Sequence, residues 1–241
     1  MSVSDAIVIA GATKLIKGRC VLDNVSLTLP RGGVYGFSGI NGSGKTMLFR
    51  AISGLIHLTS GTVDVFGQRV GSDVSFPANL GLILENVGFW EEHTGLDNLR
   101  LLASIRGVIG NAEICTALGR VGLDPDDRRE YGAYSLGMKQ RLALAQAIME
   151  VPDLLVLDEP TNALDVDGIA LVTDIIREEH ARGATVLLAC HNEPALEALF
   201  ERQFQMAEGH VVGEAAGGRS ADAIRVRRAR HMAPVGKRGG A

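Results

Sequence analysis

Gly39-Ile40-Asn41-Gly42-Ser43-Gly44-Lys45-Thr46 is the stretch on which the fold turns. It follows the short apolar run Val34 to Ser38 and leads into Met47-Leu48-Phe49-Arg50-Ala51-Ile52, where Leu48, Ile52 and Leu55 are expected on one helical face. Strand, glycine-rich turn and helix, in that order, fit the phosphate-binding pattern G-x-x-x-x-G-K-[ST]. Its glycines let consecutive backbone N–H groups converge on an anion, and the helix adds the positive end of its dipole. Lys45 is then expected at the β- and γ-phosphates of a nucleotide, with the Thr46 hydroxyl on Mg²⁺. Gly39, Asn41, Gly42, Ser43, Gly44 and Met47 complete the candidate phosphate cradle. A glycine-rich turn of no chemical use is the plainer alternative, but it requires neither flanking element.

The same logic extends outward. Leu154-Leu155-Val156-Leu157 is an apolar run ending in Asp158 and Glu159, the form of a strand buried on both faces. Such a strand delivers its carboxylates to the C-terminal edge of an open sheet, where ligands bind. Asp158 suits Mg²⁺ held through water, and Glu159 suits a general base for the water that attacks the γ-phosphate. Lying 113 positions after Lys45, the acid pair completes a nucleotide site that neither motif establishes alone. Beyond it, Ile169, Val172 and Ile176 recur at helical spacing, Gly183 offers a C-cap, and Thr185 to Ala189 resumes a strand. Ala6 to Ala10 reads as a first strand. Strands alternating with helices call for a mostly parallel sheet covered on both faces. Residues 98–150 contain no convincing strand and read as a helical insert, in which Ser135 caps a helix with Met138, Leu142, Ala145 and Met149 as its buried stripe.

Composition bounds what surrounds this core. With 241 residues, 46% of them hydrophobic and 22% charged, the chain can bury one large domain. No apolar stretch approaches the roughly 20 residues of a membrane-spanning helix, and no basic residue precedes the N-terminal apolar run as a secretory leader requires. Three widely spaced cysteines, Cys20, Cys115 and Cys190, suit a reducing compartment such as the cytosol better than a disulfide framework. Residues 214–241 hold seven Lys or Arg against two acids, which leaves the body at about −9 and argues against a nucleic-acid-coating surface. This basic tail, rich in Gly and Arg and without apolar periodicity, is expected to be disordered.

Tyr134-Ser135-Leu136-Gly137-Met138, 23 residues before Asp158, resembles the L-S-G-G-Q signature of ABC transporter ATPase subunits. The resemblance covers nearly all of residues 5–213. It makes Asn162-Ala163-Leu164-Asp165 similar to the D-loop and places His191 where the family has its switch histidine. Glu85 occupies the place of the family's usual glutamine in the loop leading to the insert. Together with Thr94-Gly95-Leu96-Asp97-Asn98-Leu99, this looks most like the bacitracin and lantibiotic exporter subgroup.

The resemblance implies an α/β fold: a RecA-like phosphate-loop core, an antiparallel β subdomain and a helical subdomain at about 90–150, together spanning residues 1–213. It implies ATP and Mg²⁺ as ligands, with Thr46, Glu85 and Asp158 at the metal. Glu159, His191 and Glu85 would be catalytic, and Ser135, Gly137 and Asp165 would contact nucleotide across a head-to-tail dimer. A separate transmembrane permease would be the partner, a second ATP-binding subunit would complete the dimer, and the location would be the cytoplasmic face of the membrane. The family's adenine-stacking aromatic aligns with Ile16, which offers no π-face. A soluble ATPase clamp acting on nucleic acid or ribosomes uses the same nucleotide chemistry. Glu85 and Ser135 are only 50 positions apart, however, leaving no room for a long coiled coil, and there is one phosphate loop rather than two.

Overall fold

The computed structural model describes residues 5–84, 88–191 and 193–217, together with the backbone of residues 225–226. Strands β1 (Asp5–Ile16) and β2 (Arg19–Pro30) form a hairpin whose turn, Lys17-Gly18, has positive φ at both positions (48° and 79°). That is the two-residue turn whose twist matches paired strands. Strand β3 (Val34–Ser38) runs into the phosphate loop and helix α1 (Lys45–Ile52). Leu55, expected on the buried face of this helix, lies beyond its end and is half exposed, because Gly54 (φ 78°) has already turned the chain. Strands β4 (Ser60–Val65) and β5 (Gln68–Arg69) join the hairpin in an antiparallel sheet ordered β2-β1-β4-β5.

After β6 (Leu80–Ile83) come α2 (Gly95–Arg106), α3 (Asn111–Arg120) and α4 (Leu136–Ile148), which form the helical insert. Ser135 caps α4 as expected, its hydroxyl accepting from the Met138 N–H at 3.2 Å. Leu142, Ala145 and Met149 are buried beneath it, while Met138 is only partly covered. The chain then returns through β7 (Leu154–Asp158), α5 (Val166–Ala181), β8 (Thr185–Ala189) and the single turn α6 (Pro194–Glu197). Strands β9 (Arg202–Ala207), β10 (His210–Ala216) and β11 (Arg225–Val226) follow. Among the described residues the main sheet is ordered β11-β10-β9-β3-β8-β7-β6, parallel from β9 to β6 and antiparallel at β10 and β11. Strand β10 continues three residues past Gly213. Residues 218–224 and 227–241, most of the basic segment, lie outside the described residues.

The side-chain alternation of the central strands makes the molecule three-layered. Leu154, Val156, Leu187 and Ala189 face the antiparallel sheet and α1, whereas Leu155, Leu157, Val186 and Leu188 face the helices, and all eight are fully buried. Strands covered on both faces need no polar alternation, hence the continuous apolar runs in the sequence. At roughly 1.5–3 kcal/mol per buried aliphatic side chain, these eight residues are a principal reason that the parallel edge is rigid.

The insert is also tied to the core by charge. Glu179 on α5, 2% exposed, accepts from Arg120 of α3 at 2.8 Å and from Arg182 at 3.1 Å. Removing a buried acid strands its cationic partners, typically at a cost of 3–5 kcal/mol. Here both guanidiniums are about a third exposed, which moderates the cost. Glu179→Ala is therefore expected to lower unfolding stability by about 2–3 kcal/mol in urea, as a shifted midpoint at unchanged slope. A change within about 0.5 kcal/mol would show that the cluster does not join insert to core.

Candidate functional site

Because β3, β8 and β7 are parallel neighbours, their C-terminal ends lie side by side. The phosphate loop leaves β3 at Ser38, the acid pair stands at the end of β7, and His191 follows β8. One edge of one sheet thus gathers the phosphate loop with two segments that lie more than 100 residues further along the chain.

The loop needs its glycines for steric reasons. Gly39 has φ 148°, and a Cβ there would fall 2.3 Å from the Met206 carbonyl oxygen. Gly44 has φ 108° and caps α1, with the Val21 carbonyl oxygen 3.0 Å from where its Cβ would stand. No side chain caps the helix, so the first-turn N–H groups, which have no helical acceptors, remain available to an anion. The Ser43 hydroxyl is buried without a hydrogen-bond partner among the described residues.

Five side chains meet above this loop. Lys45 Nζ donates to the Gly39 carbonyl oxygen at 2.7 Å and lies 3.3 Å from His191 Nε2. His191 Nε2 is in turn 3.6 Å from Glu159 Oε1. One nitrogen cannot serve both neighbours in one state: neutral with its proton on Nδ1 it accepts from Lys45, and protonated at Nε2 it donates to Glu159. Thr46 Oγ1 donates to Asp158 Oδ2 at 2.5 Å. Glu159 has φ 51°, a strained position for a side chain with a Cβ. Its N–H bonds to the Ala189 carbonyl oxygen at 2.8 Å, and Asn162 Nδ2 donates to its Oε2 at 2.7 Å. These contacts fix a strained acid at the strand end.

Lys45, Thr46, Asp158, Glu159 and Asn162 border a cleft of about 660 Å³, within the usual range for a small-molecule site. Residues Asn41 to Met47 form one wall, Asp158, Glu159, Asn162 and Ala163 another, and Arg19 and Val21 a third. A nucleotide fits the donor set: free N–H groups, an ammonium and an orphaned hydroxyl on the loop side. A divalent ion fits as well. Thr46 and Asp158 supply two adjacent hard oxygens and no more, since no cluster of three His, Cys, Asp or Glu suited to a metal occurs among the described residues. Mg²⁺ takes its other ligands from water and phosphate oxygens.

Several expected residues stand elsewhere. Ser135 and Gly137 do not border the cleft of their own chain, although Leu136 and Gln140 beside them do. Asp165 caps α5, its carboxylate accepting from the Gly168 N–H at 2.9 Å. Glu85 lies outside the described residues. Ile16 pairs with Arg19 across the hairpin and is not among the residues lining the cleft, whereas Arg19 is. Arg19 carried no motif signal, and Gln140 stands in the Lys139-Gln140-Arg141 run that continues the signature without a role expected of it. Only the hairpin register and the return of α4 beneath Pro160, whose carbonyl accepts from Gln140 at 2.9 Å, bring them here.

A phosphate loop, a strand-end acid pair and a helical insert between them define a phosphate-loop ATPase with an inserted helical subdomain. The chain belongs to the ABC transporter family of ATP-binding proteins, whose family profile, described as ABC transporter, matches residues 22–162. It is 44% identical over 199 residues to the uncharacterised ABC transporter ATP-binding protein YybJ of Bacillus subtilis, covering 83% of this chain and 91% of that one. It is 37% identical over 204 residues to the bacitracin transport ATP-binding protein BcrA of Enterococcus faecalis, covering 84% of this chain but only 66% of that relative. The lantibiotic transport ATP-binding protein SrtF of Streptococcus pyogenes is 34% identical over 196 residues, covering 81% and 84%. These last two agree with the subgroup expected from the sequence. A solved ATP-binding subunit of an ABC transporter superposes with a TM-score of 0.79 at 25% identity, covering 88% of this chain and 90% of the other. The protein is an ABC-type ATPase.

Cys190, immediately before His191, tests the packing of this edge. The thiol is buried, and desolvation, reinforced by Glu197, Glu193 and Glu159, pushes its pKa up to about 12. At pH 8 it is therefore protonated and unreactive. Maleimide labelling followed by mass spectrometry is expected to modify exposed Cys20 quickly and Cys190 only after unfolding. Equal rates in the native protein would mean that the end of β8 is open.

Proposed function

We propose that this chain is the energy-coupling subunit of a transporter, closing on Mg·ATP as a dimer and opening on hydrolysis to drive a separate membrane subunit. The observation that carries the reading is the convergence of Lys45, Thr46, Asp158 and Glu159 on one cleft, with His191 in reach of Lys45 and Glu159. In this reading Lys45 leaves the Gly39 carbonyl for the β- and γ-phosphates. Thr46 and Asp158 give up their mutual hydrogen bond to hold Mg²⁺, which supplies charge neutralisation at the phosphates. Glu159 accepts a proton from the attacking water, and His191, within reach of both Lys45 and Glu159, orients that water and the γ-phosphate. Glu85 would add a further oxygen from the loop before the insert.

The dimer is supported by what the single chain leaves incomplete. Ser135 is exposed at the start of α4 and does not line the cleft of its own chain, so the positive end of this helix is open to an anion from outside. A second copy, turned head to tail, would bring Ser135 and Gly137 over the γ-phosphate and Asp165 to the junction. A separate membrane subunit is supported by two features. No helix among the described residues is long and apolar enough to cross a bilayer. Between core and insert, an open groove of about 390 Å³ exposes Leu55, Phe76 and Ile105. Placement on the cytoplasmic face follows from that partner, and export follows from the bacitracin and lantibiotic resemblance.

Glu159→Gln is expected to retain Mg·ATP binding while losing hydrolysis by about 10²–10⁴-fold, and to accumulate as a dimer with ATP. Lys45→Ala is expected to weaken nucleotide binding itself by deleting a charge at the phosphates. Adding Ser135→Arg to Glu159→Gln is expected to abolish the dimer. Size-exclusion chromatography with light scattering, run beside phosphate release, reads all three. Hydrolysis by Glu159→Gln at the unmodified rate contradicts the assigned base, and a hydrolysis-deficient protein that stays monomeric at saturating ATP with its membrane partner contradicts the dimer.

A further inference from the structure

The wall of the cleft opposite the acid pair is made by the β1–β2 hairpin. Its two-residue turn sets Ile16 directly across from Arg19; the pairing shifts register at Val21, and both Arg19 and Val21 of β2 line the cleft. That strand lies hard against the phosphate loop. The Val21 carbonyl oxygen is within 3.0 Å of a Cβ built on Gly44, and the Asp23 N–H bonds to Gly209, whose own N–H bonds to the Ser43 carbonyl oxygen. The strand that carries Arg19 is therefore held against the loop, and Arg19 lines the cleft. Among the described residues lining the cleft none is aromatic, and Lys45 is the only other cation. Lys45 is engaged inside the loop, whereas Arg19 has no hydrogen-bond or ion-pair partner among the described residues.

We propose that Arg19 is the base-contacting residue of this site, stacking its planar guanidinium on the face of the nucleotide base while Val21 provides an apolar edge. The inference rests on the nucleotide reading given above. A guanidinium is flat, permanently charged and weakly hydrated, so it stacks on a π-system where a lysine ammonium offers only a point charge. Stacking of this kind favours the larger purine ring over a pyrimidine and distinguishes poorly between adenine and guanine.

The test separates base from phosphate. Isothermal titration with ADP, GDP and CDP, and displacement of a fluorescent ADP analogue by inorganic pyrophosphate, are run on the full chain, Arg19→Ala, Arg19→Lys and Arg19→Tyr. Arg19 is exposed, so these changes leave the core intact. The expected result is a roughly tenfold loss of ADP and GDP affinity in Arg19→Ala, a smaller loss for CDP, and unchanged displacement by pyrophosphate. Arg19→Tyr should restore purine binding, and Arg19→Lys should not. Unchanged ADP affinity in Arg19→Ala overturns the proposal. So does an equal loss for ADP and pyrophosphate, or full rescue by lysine, either of which would make Arg19 a phosphate contact. Failure of the unmodified chain to bind ADP would instead remove the nucleotide reading itself.

Discussion

Everything in this molecule depends on the parallel pairing of β3, β8 and β7, which places Ser38, Ala189 and Asp158 at one edge. The register is rigid because both faces of these strands are buried, so a slip of one residue would turn a complete set of Leu and Val side chains to the wrong layer. Once the register is set, the segments leaving the strand ends have little freedom. The phosphate loop, the acid pair and His191 meet because their strands do. The Thr46–Asp158 hydrogen bond, 2.5 Å across 112 residues of sequence, is the smallest visible sign of that constraint.

The site is held by contacts that a ligand can exchange without disturbing the frame. Lys45 rests on a carbonyl oxygen of its own loop, and Thr46 rests on Asp158. Both are hydrogen bonds to a charged group, stronger than neutral ones but replaceable by phosphate or a metal ion of greater charge. Glu159 differs. Its positive φ and the hydrogen bond it accepts from Asn162 hold the carboxylate at the strand end, as the base role proposed for it would require. Glycine at positions 39 and 44 belongs to the frame, since a Cβ at 39 would strike the backbone of β9, and at 44 a φ of 108° and the close approach of β2 both disfavour one.

Much of this arrangement was legible in the sequence, for identifiable reasons. A strand buried on both faces leaves an unbroken apolar run, so β7 and β8 could be read directly, and the acids at the end of β7 gained meaning from the phosphate loop upstream. Ser135 was legible as a helix cap because capping is a local interaction. Leu55 was misplaced because periodicity does not register the turn at Gly54 that ends α1 early. Arg19 could not be found at all. Its place depends on a hairpin register and on how β2 crosses the phosphate loop, and neither leaves a local pattern. The family's aromatic position falls at Ile16, on the opposite strand of the same hairpin.

The most direct measurement is the structure of Glu159→Gln crystallised with Mg·ATP. The account predicts that the triphosphate lies along the backbone N–H groups of residues 42–46, and that Lys45 Nζ has left the Gly39 carbonyl for the β- and γ-phosphates. It also predicts a metal ion between Thr46 and Asp158 in place of their hydrogen bond. Nucleotide bound at another edge of the sheet, or bound here with Lys45 still on Gly39 and Thr46 still on Asp158, would contradict it.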